Sequence, residues 1–360
     1  MGPGPSDVSA RVRAALAAPT LGHLDPRYLE IMDETRRLLR RLFRTENALT
    51  LAIPGTGSAG MEACFVNLLE PGDEAIVVIN GVFGGRMADI AGRCGATVHR
   101  LEIPWGTSVR PEQVAEIVER HPRAKLLALV HAETSTGAWQ PLDEISRRVH
   151  DAGMLLLVDA VTSLAGMDLR VDEWRIDAVY SGTQKCLSSP PGLSPVSFSP
   201  AALEAMDRRS SPVQSWYLDL SLLRQYWGEE RVYHHTAPVN MTYALRESLL
   251  EVFEEGLEER FERHATLHRE LRAGLEALGL AYLPDRSLPM LNAIHVPQGV
   301  DEKQVRQRLL GDYGIEIGAG LGPFKGKALR IGLMGSSCTR RHVRLLLAAL
   351  AEILSSGVVH

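Results

Sequence analysis

Ile176-Asp177-Ala178-Val179-Tyr180-Ser181-Gly182-Thr183-Gln184-Lys185 reads as a short apolar strand that runs out into a polar turn ending on a lysine. An earlier apolar run over residues 154–158 ends in the same manner on Asp159. A lysine and a carboxylate at the exits of neighbouring strands suit pyridoxal 5'-phosphate (PLP). The amine can condense with the cofactor's aldehyde, and the carboxylate can keep the pyridine nitrogen protonated so that the ring accepts electrons. Taken singly, Lys185 would read as a solvated loop lysine and Asp159 as a helix cap. Together, in this setting, they point to the cofactor.

The surrounding chain supplies the sheet that such a pair needs. Buried-strand patterns fall at residues 49–53, 75–79, 126–130, 154–158, 178–180 and 195–198, with helical patterns between most of them, as at 111–120 and 142–152. Strands alternating with helices predict an α/β fold, a mainly parallel sheet covered on both faces. Ligands of such sheets bind outside the carboxyl ends of the strands, where Asp159 and Lys185 both fall. From about residue 243 the character changes. A long charged helical stretch runs to 278, followed by a strand-like 292–296, a helical 302–310, short runs at 316–317 and 329–331, and a last helix near 340–354. The pattern predicts a large domain over residues 1–255 and a smaller α+β domain over 256–360.

Composition limits the alternatives. Over 360 residues, 45% are hydrophobic and 23% charged, as in an ordinary soluble globular chain, and a net charge of −5 with no basic block gives nucleic acid or an anionic membrane nothing to hold. No apolar stretch approaches the ~18 residues of a membrane span. Cys64, Cys94, Cys186 and Cys338 are scattered and form no C-x-x-C pair. They read as reduced thiols of a cytoplasmic protein. Met1-Gly2-Pro3-Gly4-Pro5-Ser6 fits a loose lipidation pattern, but two prolines better suit a rigid loop, and residues 357–360 match no C-terminal targeting signal.

Several motifs need testing. Gly55-Thr56-Gly57-Ser58-Ala59-Gly60 follows a strand and opens a helix at Met61, as a dinucleotide fingerprint would. The acid that should close the next strand is missing, since that strand ends on Asn80-Gly81. What remains is a helix N-terminus with the hydroxyls of Thr56 and Ser58, suited to one phosphate. A simple glycine turn is equally open. Gly322-Pro323-Phe324-Lys325-Gly326-Lys327-Ala328 lacks both the first glycine and the terminal hydroxyl of a P-loop. His131-Ala132-Glu133 lacks the P-C-x-x-C partner of a zinc deaminase and reads as structural. His234-His235, if on a strand, would point opposite ways. No metal is predicted. Phe83, among glycines after a strand, can stack on a flat ring or belong to the core. Thr134 offers a hydroxyl at the same sheet edge. Arg330, in the apolar run Ala328-Leu329-Arg330-Ile331-Gly332, wants a bidentate anion such as a substrate carboxylate, or a structural ion pair.

These blocks together resemble the class V, fold-type I aminotransferases, in particular the alanine–glyoxylate and serine–pyruvate group. The similarity runs from Gly2-Pro3-Gly4-Pro5 through Val158-Asp159-Ala160-Val161, Ser181-Gly182-Thr183-Gln184-Lys185, Tyr233-His234-His235-Thr236 and Leu245-Arg246-Glu247-Ser248 to Leu329-Arg330-Ile331-Gly332. The resemblance implies that Lys185 carries the internal aldimine and Asp159 pairs with the pyridine nitrogen. Phe83 takes the ring-stacking position, and Thr134 lies near the phenolic oxygen. Thr56, Gly57, Ser58 and Gln184 form the phosphate cup. Tyr233 and Thr236 reach the phosphate of a neighbouring subunit, which implies a homodimer with shared sites. Arg330 clamps the substrate carboxylate, and Gly4 belongs to the loop the substrate passes. The implied activity is transfer of an amino group from alanine or serine to glyoxylate or pyruvate. A sister group, the (S)-ureidoglycine–glyoxylate aminotransferases, shares Val171-Asp172-Glu173-Trp174 and Met334-Gly335, but has Gln where this chain has His23 and Asn where it has Tyr233.

Overall fold

A computed structural model describes residues 1–356. The reading of residues 357–360 as free of a targeting signal falls outside the described residues. In chain order the strands are β1 (Leu49–Pro54), β2 (Glu74–Ile79), β3 (Thr97–Glu102), β4 (Ala124–Val130), β5 (Ala132–Glu133), β6 (Ala138–Trp139), β7 (Leu155–Asp159), β8 (Ala178–Tyr180), β9 (Leu193–Phe198), β10 (Leu291–His295), β11 (Gly318–Ala319) and β12 (Ala328–Gly332). Seven of them form one sheet in the order β1-β9-β8-β7-β4-β2-β3. It is the α/β, mainly parallel sheet that the alternation predicts; β9 alone runs against both neighbours.

The sheet forms where the sequence is apolar enough to be covered twice. β4 (Ala-Lys-Leu-Leu-Ala-Leu-Val) and β7 (Leu-Leu-Leu-Val-Asp) are buried over almost their whole length, because helices pack on both faces. β3 is different. Its sequence, Thr-Val-His-Arg-Leu-Glu, alternates with charge and lies at the sheet edge, where polar side chains discourage pairing with other chains. Its charge hides it from a search for apolar runs. The exits of β1, β2, β4, β7 and β8 share one edge, because these strands all run the same way.

The remaining strands make a small antiparallel sheet, β10-β12-β11, and a two-residue ribbon of β5 with β6. Helices Leu257–Ala277, Glu302–Tyr313 and Arg340–Ser355 cover the small sheet over a second core that includes Leu271, Leu275, Ile331, Leu346 and Leu350. The charged stretch expected as one long helix is two, Val239–Glu255 and Leu257–Ala277. They part at Gly256, whose φ of 88° lies where only glycine sits without strain. The strand expected at 316–317 falls instead at β11. The helix expected to open at Met61 begins at Gly57, with Thr56 as its N-cap. Helix Pro26–Phe43, not anticipated as an element, is capped by Asp25 and packs under Val239–Glu255, with the Tyr28 and Thr242 hydroxyls 3.1 Å apart. Among the described residues no helix is long and apolar enough to cross a membrane.

Helix Val82–Arg93 lies against β2 and carries Phe83 to the shared strand edge. Gly84 permits that approach, because a Cβ there would stand 2.5 Å from the Val78 carbonyl oxygen and 3.0 Å from Ile79 Cα. Both are backbone atoms that cannot swing aside. Gly84→Ala should therefore lift the helix and cost about 1–3 kcal/mol of stability. Denaturant unfolding of the purified variant measures this, and a midpoint equal to wild type would remove the argument.

Candidate active site

Asp159 is the last residue of β7 and Tyr180 the last of β8. The parallel register sets them side by side. Tyr180 Oη donates to Asp159 Oδ2 at 2.7 Å, and the Val161 amide donates to Oδ1 at 2.8 Å. Burial pushes the Asp159 carboxyl up to about 7, while the two hydrogen bonds pull the other way. Lys185 lies just beyond Tyr180, with its side chain buried. Burial, and secondarily the facing Arg330 guanidinium, bring its ammonium down to about 8. The lysine Nζ donates to the Pro3 carbonyl.

Residues 1–6 are strapped across this edge. The Gly332 amide donates to Met1 O, the Ser6 amide to Gln184 O, and Ser6 Oγ to Lys185 O. Gly4 has φ 108°, and a Cβ there would lie 2.6 Å from Lys185 Nζ. The strap therefore fits only with glycine at position 4. Arg330, on β12, closes the far side. Its Nε donates to Ala319 O at 2.7 Å and Nη1 to Thr134 O at 3.2 Å. Among the described residues no carboxylate lies within ion-pairing distance of it, and burial lowers its pKa. A half-buried guanidinium whose partners are carbonyls is a cation without its anion.

The ribbon of β5 and β6 shapes the floor. Glu133 is fully buried; Oε1 accepts from the Ser135 amide (2.9 Å) and hydroxyl (2.6 Å), and Oε2 from the Phe83 amide (3.2 Å). Burial raises its pKa. It thereby fixes the turn that presents Phe83. Thr134 Oγ1 meets Thr162 Oγ1 at 2.7 Å. His131 is buried, held neutral with a pKa near 3, and its ring meets Trp174 edge to face. On the other flank, Gly57 opens its helix under the exposed hydroxyls of Thr56 and Ser58, and Arg86 reaches Ser58 Oγ at 3.3 Å. The Arg86 guanidinium also lies 5.1 Å from the Phe83 ring centre. Gln184 Oε1 is buried with no partner.

The structure thus brings Asp159, Lys185, Arg330, Thr134 and Gly4 to one place, with Phe83, Thr56, Gly57, Ser58 and Gln184 on the same strand edge. Tyr233 and Thr236 stand apart. Both are exposed, and Tyr233 packs on His23 with ring centres 5.1 Å apart. His234 and His235 are not on a strand and do not point apart. Their Nδ1 atoms are 2.8 Å from one another, which corrects the alternation argument. Elsewhere, Glu74, His99 and His121 have ligand atoms within 4.8 Å of each other at the amino end of β2 and β3. Their imidazoles stack at 3.6 Å and 17°, so the ring lone pairs do not converge, and Arg123 holds the other Glu74 oxygen. The sequence reading missed Tyr180, Glu133 and Arg86 as site residues. For Tyr180 the signal was available: it closes the strand beside Asp159.

The donor set fits PLP. A buried amine with a lowered pKa, a buried carboxylate held by two donors, a helix N-terminus with exposed hydroxyls and a Gln184 oxygen without a partner among the described residues match its aldehyde, ring nitrogen and phosphate in kind. The family profile described as aminotransferase class-V matches residues 10–334. The (S)-ureidoglycine–glyoxylate transaminase of Bacillus subtilis is 41% identical, over 98% of this chain and 90% of its own. The alanine–glyoxylate aminotransferase of Callithrix jacchus is 42% identical, over 98% and 87%. The solved alanine–glyoxylate aminotransferase of Nostoc sp. superposes with a TM-score of 0.97 at 46% identity, over 98% of this chain and 94% of its own. A chain with this fold, these residues at the strand exits and these relatives belongs to the class V aminotransferases, fold-type I transaminases that work with PLP.

Proposed function

We propose that the enzyme moves an amino group from alanine or serine to glyoxylate or pyruvate, and that its two active sites are shared across a homodimer. The observation that carries the substrate reading is Arg330, an anion-free guanidinium beside the Lys185 amine. PLP, when bound, supplies an electron sink for the bond broken at the substrate Cα. Lys185, near neutrality by burial, is the base that takes the Cα proton and the acid that returns it. With the cofactor bound, Asp159 would hold the ring nitrogen protonated, Phe83 would stack on the ring, Thr134 would hydrogen-bond near the phenolic oxygen, and Thr56, Gly57, Ser58 and Gln184 would hold the phosphate. Arg330 fixes the α-carboxylate, and Gly4 leaves room for the substrate to pass. Cys338 is buried, and burial pushes its thiol up to about 11.

Alanine as donor and glyoxylate as acceptor are in keeping with the alanine–glyoxylate relatives. Ureidoglycine is the second reading, favoured by the Bacillus subtilis relative. Against it stand His23 and Tyr233, in contact here, at positions where that group has Gln and Asn. Tyr233 is 57% exposed in the single chain, and Trp216 and Tyr217, also exposed, pack on the next residue, His234. Exposed large aromatic residues on one segment suit a subunit contact. The four free cysteines are buried, in keeping with a cytoplasmic enzyme. Gly256 is the proposed boundary between a PLP-binding domain of residues 1–255 and a small domain of 256–360.

Two predictions test these readings. In a half-reaction screen, cofactor absorbance should shift rapidly with alanine and serine and slowly with aspartate and glutamate. Arg330→Lys keeps the charge but loses the fork, and should lower kcat/KM about 10²-fold, roughly 3 kcal/mol. Ureidoglycine turnover tenfold above that of alanine and serine would transfer the donor assignment to the second reading. Secondly, Lys185→Ala protein mixed with a Tyr233→Ala/Thr236→Ala variant should regain up to about one quarter of wild-type activity, since each heterodimer keeps one intact site. No recovery after verified subunit exchange would exclude shared sites.

A further inference from the structure

Asp159 faces a conflict that the fold must resolve. Its carboxylate is useful beside a protonated ring nitrogen only while it is charged, yet it is sealed under the sheet edge, where burial favours the neutral acid. The groups that face it come from four elements. The Cys64 thiol comes from helix Gly57–Leu68, Glu133 from β5, Lys185 from the loop after β8 and Tyr180 from β8 itself. Cys64 is held protonated by burial, and Glu133 adds negative charge that works against a second anion. Lys185 is the one cation of the set. The direct donors to Asp159 are the Val161 amide, which no side-chain change alters, and the Tyr180 hydroxyl.

Tyr180 is built in as firmly as its partner. It is fully buried, and its hydroxyl is kept protonated by burial and by the carboxylate it faces. Gly60 lets the helix settle on it, since a Cβ there would stand 3.1 Å from Tyr180 Cβ and 2.0 Å from Ser194 Oγ. The phenol therefore keeps a proton to donate to Oδ2, as the amide donates to Oδ1. One donor on each oxygen fixes the plane of the carboxylate and favours its charged form.

We propose that Tyr180 is a positioning residue of the transamination reaction, whose hydroxyl holds Asp159 in place and ionised to meet the ring nitrogen of PLP. The proposal rests on the assignment of Asp159 as the ring-nitrogen partner. A tyrosine that merely filled the core would serve as well without its oxygen.

The test is the affinity of cofactor-free protein for PLP, by equilibrium dialysis from about pH 6.5 to about pH 9, for wild type and Tyr180→Phe. Taking the ratio of the two removes the titration of Lys185, which both proteins share. Losing a hydrogen bond to a charged group should weaken binding about tenfold or more at the acid end. The deficit should shrink toward the alkaline end, where Asp159 ionises without help. A ratio near one throughout, or a deficit of the same size at every pH, overturns the proposal. Should Tyr180→Phe fail to fold, 3-fluorotyrosine placed at position 180 keeps the shape and donates more strongly. It should extend tight binding to lower pH, and an unmoved profile counts against the role. Asp159→Asn separates the two layers of the argument. Wild-type affinity and turnover in that variant would remove the assignment of Asp159 itself. A crippled Asp159→Asn beside an unaffected Tyr180→Phe would remove Tyr180 alone.

Discussion

A carboxylate buried inside the protein is the constraint on which the rest of this structure depends. An unpaired buried ion costs several kcal/mol, and the fold meets that cost around Asp159 with an amide, a phenol and a nearby amine. The amide follows β7 while the phenol and the amine lie at and beyond the end of β8, so they meet only because β7 and β8 run parallel and in register. The same burial that raises Asp159 lowers Lys185. One dry pocket thus moves the acid and the amine toward each other, the carboxyl up and the ammonium down.

The large and small sheets are tied together at this site. Arg330 of the small sheet donates to Thr134 at the large sheet's edge, and the N-terminal strap bonds to both Gly332 and Lys185. Behind Lys185, Arg260 donates to Ala165 O and to Cys186 O, tying the helix after Gly256 to the backbone next to the lysine.

What could be read from the sequence follows from what burial does to it. β2, β4 and β7 are covered on both faces and leave unbroken apolar runs; β3 is covered on one edge only and is written in charge. Gly256 was hidden inside a helical pattern that continues on both sides, because a lone glycine in such a pattern is usually tolerated. Asp159, Lys185 and Arg330 were legible because a charge at the end of, or within, an apolar run needs a reason. Tyr180 could have been found as the residue that closes the strand beside Asp159; Glu133 could not, because only its hydrogen bonds to the Ser135 and Phe83 amides reveal where its oxygens point. The pairing of Tyr233 with His23 is likewise a matter of tertiary contact.

The central claim is that Lys185 carries the cofactor. The chain has only five lysines, Lys125, Lys185, Lys303, Lys325 and Lys327, so the claim is unusually easy to check. The purified protein should be reduced with borohydride, digested and mapped by mass spectrometry. The account requires the pyridoxyl mass on the peptide containing Lys185 and on no other. A stoichiometric adduct on any of the other four, with Lys185 unmodified, would contradict it.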